Sequence, residues 1–95
     1  MGMSFVLWYH ADVVASDIPR LPKTMRVRIR RAIEMRLVTH PEHYGRPLRR
    51  SLHGYRKLRV GDYRVIFRIE GDTVKILLIA HRTIVYQIAS NRLLI

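Results

Sequence analysis

Residues 55–69, YRKLRVGDYRVIFRI, decide the predicted fold, because they carry the pattern of a β-hairpin. Two runs rich in β-branched and aromatic residues, 55–60 and 63–69, flank the dipeptide Gly61-Asp62. A Gly-Asp pair between two such runs is typical of a two-residue hairpin turn. A second Gly-Asp pair follows and precedes a third apolar run, 73–81. The sequence therefore predicts an antiparallel meander of three strands.

The rest of the chain supplies helices around this meander. Met25, Ile29 and Ile33 recur at helical spacing and predict the buried stripe of a helix. We expect an α+β fold, in which an antiparallel β-sheet carries two N-terminal helices on one face, in the order β-α-α-β-β-β with a short C-terminal helix. The whole chain, 1–95, is expected to form a single domain. The other predicted elements are a strand over 3–9, a helix over 11–18, a helix from Pro22 or Lys23 to about Val38, a loop over 39–53 and a weakly helical tail over 83–92.

The composition limits the possible functions. The chain has 95 residues, 48% of them hydrophobic, which suffices for a packed core. It has no cysteine, so disulfides, cysteine-based zinc sites and a catalytic thiol are excluded. No apolar run approaches the roughly 18 residues that a membrane span requires. Because the start MGMSFVLWYH also lacks the pattern of a signal peptide, we expect a cytoplasmic protein with no membrane partner.

The net charge of +11, from 18 Lys and Arg against 7 Asp and Glu, is the first indication of function. A domain this basic attracts phosphate-rich polymers, anionic membranes or an acidic partner protein. The charge is concentrated in residues 20–36 and 46–68, and the second segment contains one acid, Asp62. The cations of the second segment are Arg46, Arg49, Arg50, Arg56, Lys57, Arg59, Arg64 and Arg68.

Alternation along the strands separates apolar from charged side chains. If both Gly-Asp pairs form two-residue turns, Arg59 lies opposite Arg64. By the same register, Val65 lies opposite Leu78. One face is then apolar and packs beneath the helices; it carries Leu58, Val60, Tyr63, Val65, Phe67, Ile69, Val74, Ile76, Leu78 and Ala80. The other face carries Tyr55, Lys57, Arg59, Arg64, Ile66, Arg68, Lys75, Leu77, Ile79 and His81. Phe5 and Trp8 are also expected in the core.

Two like-charged pairs are predicted on the charged face. They are Arg59 with Arg64 and Arg68 with Lys75, and like charges directly opposite each other destabilise a sheet. A bound anion would explain such a pair, because guanidinium groups bind phosphate in bidentate fashion. We interpret Lys57, Arg59 and Arg64 as an anion site. For Arg68 and Lys75, a solvated basic face is the simpler interpretation.

Residues 52–67, LHGYRKLRVGDYRVIF, resemble the RelE/ParE toxin superfamily of bacterial toxin–antitoxin modules. The family pattern has a Leu-x-Gly segment, a basic strand, Gly-Asp-Tyr-Arg-Val and an apolar strand, and it closes on His-Arg and a nearby aromatic residue. Here the closing residues are His81-Arg82 and Tyr86, and residues 5–22, FVLWYHADVVASDIPRLP, resemble the first strand and helix of the family. The resemblance implies a microbial-RNase-like domain. In the RelE branch, this domain cleaves mRNA in the A site of the 70S ribosome without a metal ion.

The resemblance also implies the site residues, and no cofactor. Transferred position by position, the family's catalytic set corresponds to Lys57, Arg59, Arg64, Arg82 and Tyr86. His81 is the best-placed candidate for a general base, because a histidine titrates in the range that the task requires. The further predicted RNA contacts are Arg49, Arg50, Arg56 and Arg68. We expect no metal site, because the His-Pro-Glu-His run at 40–43 lies in a loop without an accompanying acidic cluster.

Three functions remain open from the sequence. The first is an mRNA endonuclease toxin, and the basic residues together with Tyr86 favour it. The second is a ParE-like inhibitor of DNA gyrase that cleaves no RNA, and the third is a basic RNA-binding module without activity. The resemblance implies a cognate antitoxin, acidic in its toxin-binding segment, and contact with operator DNA only through the toxin–antitoxin complex.

Overall fold

The computed structural model describes residues 4–94, which form a five-stranded mixed sheet and four helices. The strands are β1 (Val6–Tyr9), β2 (Arg46–Pro47), β3 (Arg56–Val60), β4 (Tyr63–Glu70) and β5 (Thr73–His81). The helices are α1 (Val13–Asp17 and Ile18–Arg20), α2 (Lys23–Ala32, continuing through Ile33–Leu37), α3 (Pro41–Tyr44) and α4 (Val85–Leu93), and a 3₁₀ turn spans Arg50–Leu52. The strand order across the sheet is β1-β5-β4-β3-β2.

The expected α+β class is confirmed, but the sheet is not purely antiparallel. β1 runs parallel to β5, because α1 and α2 connect it to the rest of the sheet as a crossover. A short strand, β2, pairs with β3 inside the segment predicted as a loop. Its two residues include Pro47, which restricts it to a sheet edge. The predicted part of strand one at Met3 lies outside the described residues.

One face of the sheet packs against α1 and α2, as predicted. α2 begins at Lys23, directly after Pro22, and its apolar stripe enters the core between helix and sheet. Residues Ile33–Leu37 form wider, π-helical turns that keep Leu37 buried. The buried members of this core are Val13, Leu21, Ile29, Ile33, Leu37, Leu58, Val60, Val65, Phe67, Val74, Ile76 and Ile79. None of the helices within residues 4–94 is long and apolar enough to cross a bilayer.

A β-bulge in β5 overturns part of the predicted register. Phe67 pairs with Ile76 as expected, but Ile66 pairs with Leu78, so Leu77 is an extra residue opposite neither. Val65 therefore faces Ile79 rather than Leu78. The bulge inverts the alternation of the side chains that follow it. Ile79 therefore enters the core beneath α1 and α2, while Leu78 and Ala80 point to the other face.

The second face is not a free charged surface, because α4 covers its centre. Ile66, Leu78 and Ala80 pack there against Val85 and Ala89 of α4. The predicted C-terminal helix thus closes a second, smaller core. The two N-terminal helices thus share one face, as predicted, and α4 lies on the other, where the cations lie around its margins.

Three of the four aromatic residues expected in the core behave as predicted, and Phe67 is fully buried. Phe5 and Tyr63 are partly buried against the main core. Trp8 is not a core residue: 44% of its surface is exposed, and Lys75 lies 5.2 Å from its ring centroid. Trp8 is opposite Lys75 in the β1–β5 register, on the outer face of the sheet.

A buried ion pair completes the edge of β5 beyond the end of β1. β1 pairs with β5 only as far as Ile76. Beyond this point, Asp17 Oδ2 accepts a hydrogen bond from the Ile79 N–H at 2.9 Å, and Arg92 Nη1 donates to the Leu77 carbonyl at 3.1 Å. The two side chains bind each other through two hydrogen bonds of 2.7 and 3.0 Å. The pair connects α1 and α4 through the bulge.

Candidate functional site

The central strands place the predicted anion-binding residues together. Arg59 of β3 lies directly opposite Arg64 of β4, as the sequence predicted. Leu58 and Val60, which flank Arg59, and Val65, which follows Arg64, point into the main core, so both arginines lie on the α4 side of the sheet. Lys57 shares this face, since its ammonium reaches a side chain of α4.

These residues line a cleft of about 320 Å³ at the edge of the sheet. We call it the basic cleft; its lining residues are Arg36, Tyr44, Arg46, Lys57, Leu58, Arg59 and Arg64. Five of the seven are cations, and no carboxylate within residues 4–94 lines it. Such an arrangement repels itself in the absence of an anion, and phosphate suits the guanidinium groups.

Lys57 and Tyr86 form the one direct side-chain pair within the predicted catalytic set, as far as residues 4–94 are concerned. Lys57 Nζ donates a hydrogen bond of 2.9 Å to the Tyr86 hydroxyl, and it lies 5.7 Å from the centre of the ring. Tyr86 stays 42% exposed in the first turn of α4, while its neighbours Val85 and Ala89 are buried. The packing of α4 therefore sets the position of the Tyr86 hydroxyl at the margin of the cleft.

Arg64 is held by the turn that precedes it. Its Nη1 donates to the carbonyl oxygens of Gly61 at 3.1 Å and Tyr63 at 2.9 Å. These bonds orient the guanidinium toward the basic cleft, where the side chain is half-buried. In the part of the chain that the structure describes, Arg64 has no carboxylate partner, so its charge is available to a ligand.

His81 and Arg82 do not line the basic cleft. His81 is opposite Tyr63 in the register and packs edge-on against its ring at 5.3 Å, on the helix-covered side of the sheet. Its Nδ1 is 2.9 Å from Thr83 Oγ1. The prediction that His81 shares a face with Arg64 is wrong, because the bulge inverts the alternation. Arg82 is exposed, and its Nε lies 3.9 Å from Asp62 Oδ1 beside the β3–β4 turn.

The four additional predicted RNA contacts are dispersed. Arg56 lies on the opposite face from Lys57 and donates to the carbonyl oxygens of Gly45 at 3.0 Å and Glu42 at 3.4 Å. Its hydrogen bonds connect α3 to the sheet.

Of the other three cations, Arg68 is paired with an acid, whereas Arg49 and Arg50 are exposed and unpaired among the described residues. Arg68 and Lys75 share Glu70, at 3.5 and 3.1 Å, which fits the interpretation of that pair as a solvated face. Arg49 and Arg50 are exposed on the loop before β3, where Arg50 adopts a left-handed φ of 59°.

Sequence reasoning missed three lining residues of the basic cleft: Arg36, Tyr44 and Arg46. Arg46 is opposite Lys57 in the β2–β3 register, a pairing that depends on the unpredicted strand β2. Arg36 extends from the last turn of α2, with its guanidinium 5.7 Å from the centre of the Tyr44 ring. For Arg46, the available signal was the strongly basic composition of residues 46–68. Assigning it to the cleft also required the pairing at the edge of the sheet.

Another cavity of the described residues lies away from the basic cleft and is mostly apolar. It measures about 450 Å³ between α1 and α2, where Val14 and Val27 stand exposed. We call it the apolar groove. Tyr9 lines it, and burial raises the pKa of the Tyr9 hydroxyl above its ordinary value. Because aliphatic side chains dominate its wall, this groove suits the side chains of another protein better than a nucleic acid.

The two histidines of the 40–43 run lie together but without further metal ligands. The rings of His40 and His43 stack at 5.2 Å, with 14° between their planes. Residues 4–94 contain no group of three or more histidine, aspartate or glutamate side chains that could hold a metal ion.

Comparison with known families places the chain among the toxins of type II toxin–antitoxin systems. Residues 11–91 match the family model described as the ParE toxin of the type II system parDE. The chain is also 33% identical over 84 residues to toxin RelE of Mycobacterium tuberculosis, covering 83% of this chain and 87% of that toxin. It belongs to the RelE/ParE toxin family.

Solved structures of related toxins have the same fold. The toxin–antitoxin complex RelBE2 of Mycobacterium tuberculosis matches with a TM-score of 0.78 and 29% identity, over 84% of this chain and 93% of the matched chain. The archaeal RelE–RelB complex of Pyrococcus horikoshii matches with a TM-score of 0.58 and 26% identity, over 84% of this chain and 97% of that one.

Proposed function

We propose that this toxin is a ribosome-dependent mRNA endonuclease that holds the scissile phosphate in the basic cleft. The observation that carries the proposal is the grouping of Lys57, Arg59 and Arg64 on one face, with the Tyr86 hydroxyl 2.9 Å from Lys57. The similarity to a toxin named RelE supports the same function, because the resemblance to the RelE branch implies cleavage of mRNA in the ribosomal A site.

The reaction we propose is transfer of the phosphate to the neighbouring ribose oxygen. The 2′-hydroxyl oxygen attacks phosphorus and loses its proton to solvent, while the bond from phosphorus to the 5′-oxygen breaks. The products are a 2′,3′-cyclic phosphate and a 5′-hydroxyl. Negative charge grows on the non-bridging oxygens, and fixed guanidinium groups stabilise it in the transition state. Arg59 and Arg64 take this role.

In this proposal, Lys57 and Tyr86 act on the two oxygens whose protonation changes, the 2′-oxygen and the 5′-oxygen. The Lys57 ammonium favours the ionised 2′-oxygen, and it orients the phenolic hydroxyl by donating to its oxygen. That orientation leaves the phenolic proton free for the departing 5′-oxygen, and the Tyr86 phenolate then regains a proton from solvent. General acid catalysis of this kind contributes about 10²–10⁴-fold. We assign no role in the reaction to His81, because its ring lies across the sheet from the cleft.

Primer extension on a reporter mRNA tests the proposal, with purified toxin, programmed ribosomes and a parallel ribosome-free RNA. We expect cleavage only with ribosomes. Arg64→Ala should lower the rate about 10²–10³-fold, the range for loss of one fixed donor to a developing charge. Tyr86→Phe should lower it about 10²-fold or more. Arg20→Ala is the matched control, because Arg20 is exposed and lines neither the basic cleft nor the apolar groove.

Two results would contradict the proposal. Equal cleavage of free RNA would remove the dependence on the ribosome. A folded protein that cleaves in neither tube would remove the endonuclease.

DNA gyrase inhibition is the second candidate, and the match of residues 11–91 to a family model named for ParE favours it. A supercoiling assay with purified gyrase distinguishes the two functions. A gyrase inhibitor should block supercoiling and leave mRNA intact. Lys57 and Tyr86 argue for the RNA-cleaving branch, because the phenol and the ammonium meet at the cleft.

We also propose a cognate antitoxin as the protein partner, since related toxins are found in complexes with RelB. The apolar groove offers a site for its apolar side chains, and the cations around the basic cleft offer sites for its acidic ones. Val27→Asp, at an exposed residue of the groove, should weaken that complex without changing cleavage by the free toxin. The place of action that follows from the proposal is the cytoplasm, where ribosomes are.

A further inference from the structure

The basic cleft does not end at β3. A second cleft, of about 330 Å³, shares Arg36, Tyr44 and Arg59 with it and continues across the β3–β4 turn onto α2. We call this second space the helix cleft. Arg28 and Arg31 of α2 form its far wall. The two clefts together make one groove that runs from the β2–β3 edge of the sheet to α2.

The helix cleft concentrates charge that nothing in residues 4–94 neutralises. Four arginines line it, and no carboxylate of the described chain does. The acid of α2, Glu34, binds Arg30 at 3.3 Å and lines the apolar groove instead. The ion pairs among the described residues involve none of Arg28, Arg31, Arg36 or Arg59. Side chains placed for stability alone would include an acid here.

The hairpin turn brings Arg28 toward the strands. Gly61 adopts a left-handed φ of +59°, and a Cβ built on it would lie 3.0 Å from Arg28 Nη1. The guanidinium of Arg28 therefore lies over the bare turn, in the same cleft as Arg59. Glycine at this position allows both the tight turn and the close approach of the arginine.

We infer that the helix cleft binds a second phosphate of the RNA strand whose scissile phosphate lies in the basic cleft. This inference rests on the proposed function. Continuity of the two clefts favours one polymer over separate ligands. Arginine forks suit phosphate, and the half-exposed Tyr44 ring at the junction can stack on a base between the two phosphates. Arg28 and Arg31 are thus phosphate-positioning residues.

Binding of a non-cleavable strand measures this directly. The probe is a short single-stranded RNA with 2′-O-methyl groups, followed by fluorescence anisotropy without ribosomes over a series of salt concentrations. The double variant Arg28→Ala/Arg31→Ala should bind about tenfold more weakly. Its plot of log affinity against log salt should be shallower by about 0.7 for each phosphate that the variant no longer neutralises. Circular dichroism and thermal unfolding verify that this variant and its control remain folded.

The matched control removes the same charge outside the groove. Arg20→Ala/Lys23→Ala also lacks two cations, but these residues are exposed and line neither cleft. Its salt slope should stay within the error of the wild type. If both double variants weaken binding equally, the effect is a general one of net charge and the inference is wrong. A labelled glutamate-rich peptide serves as a second probe. The inference is also wrong if Arg28→Ala/Arg31→Ala binds this peptide more weakly but binds the RNA with unchanged affinity.

Kinetics on programmed ribosomes separate this inference from the proposed function. If the toxin cleaves mRNA, Arg28→Ala/Arg31→Ala should raise KM about tenfold and leave kcat within about twofold. Unchanged KM together with full cleavage would overturn the helix cleft and leave the endonuclease in place. If the wild type cleaves nothing but RNA binding still depends on Arg28 and Arg31, the endonuclease is overturned, and the helix cleft remains a site for an RNA phosphate beside the basic cleft.

Discussion

At the scale of single residues, Gly45 lies where the main core meets the basic cleft. It is buried between α3 and β2, directly before Arg46, and its carbonyl accepts a hydrogen bond from the Arg56 guanidinium at 3.0 Å. Its φ of −101° is ordinary, so no backbone conformation requires glycine here. The requirement is space: an added Cβ would overlap the Phe67 ring, with Cε1 at 2.7 Å.

Gly45→Ala is therefore expected to lower the free energy of unfolding by about 1–3 kcal/mol, the usual cost of overpacking a core. The measurement is urea unfolding followed by circular dichroism. In a Phe67→Leu background, the same change should cost less, because the shorter side chain frees the space. A cost of less than about 0.5 kcal/mol in the wild-type background would show that the ring moves aside freely.

At the scale of helices and strands, a buried ion pair joins α1 to α4. Asp17 and Arg92 are largely buried, with side-chain exposures of 5% and 12%, and each also binds a backbone group of β5 at the bulge. Hydrogen bonding to Asp17 raises the pKa of Arg92 above its usual, already high range. A raised pKa means that the pair contributes its stability below that range and loses it only in strong alkali.

Arg92→Ala should destabilise the fold by about 3–5 kcal/mol, because it leaves the Asp17 carboxylate buried without a cationic partner. The double variant Asp17→Asn/Arg92→Met should cost less than the sum of the two single changes. Arg30→Ala is the control: its partner Glu34 is exposed, and such pairs contribute about 0.5 kcal/mol or less. A similar loss of stability for Arg92→Ala and Arg30→Ala, by chemical denaturation, would show that burial adds nothing here.

The same pair explains which elements the sequence predicted and which it did not. The β3–β4 hairpin and its Arg59–Arg64 pair follow from alternation and a local turn, so they were predictable. The bulge at Leu77 is bound by residues that are distant along the chain: Asp17, which is 62 positions from Ile79, and Arg92. No local pattern contains such an interaction. Alternation along the strand therefore assigned Leu78, Ala80 and His81 to the wrong face of the sheet.

Strand β2 shows a second limit of the same kind. Its two residues, one of them a proline, have no strand pattern of their own. The pairing exists because β3 offers a free edge, and it brings Arg46 opposite Lys57. The candidate site was thus predictable where it lies on the central hairpin. It was not predictable where edge pairing, or the last turn of α2 with Arg36, completes it.

The charge of +11 acts on the whole molecule, which measures 38 × 33 × 22 Å. At about 10 mM salt the Debye length is about 30 Å, so cations on α2 and on the sheet repel each other across the domain. At about 100 mM it falls to about 10 Å, and mainly neighbouring charges interact. The exposed ion pairs weaken by a small amount over the same range, since each contributes little.

Salt should therefore stabilise this fold. We expect the midpoint of thermal unfolding to rise between about 10 and 100 mM sodium chloride, because relief of repulsion outweighs the weakening of a few surface pairs. Arg20→Gln/Lys23→Gln, which removes two exposed cations outside the clefts, should be more stable than the wild type at low salt and respond less to added salt. A midpoint that falls with salt in both proteins would mean that ion pairs outweigh repulsion. The unpaired arginines of the clefts would then cost the fold little, and their repulsion would give no reason to expect a phosphate ligand there.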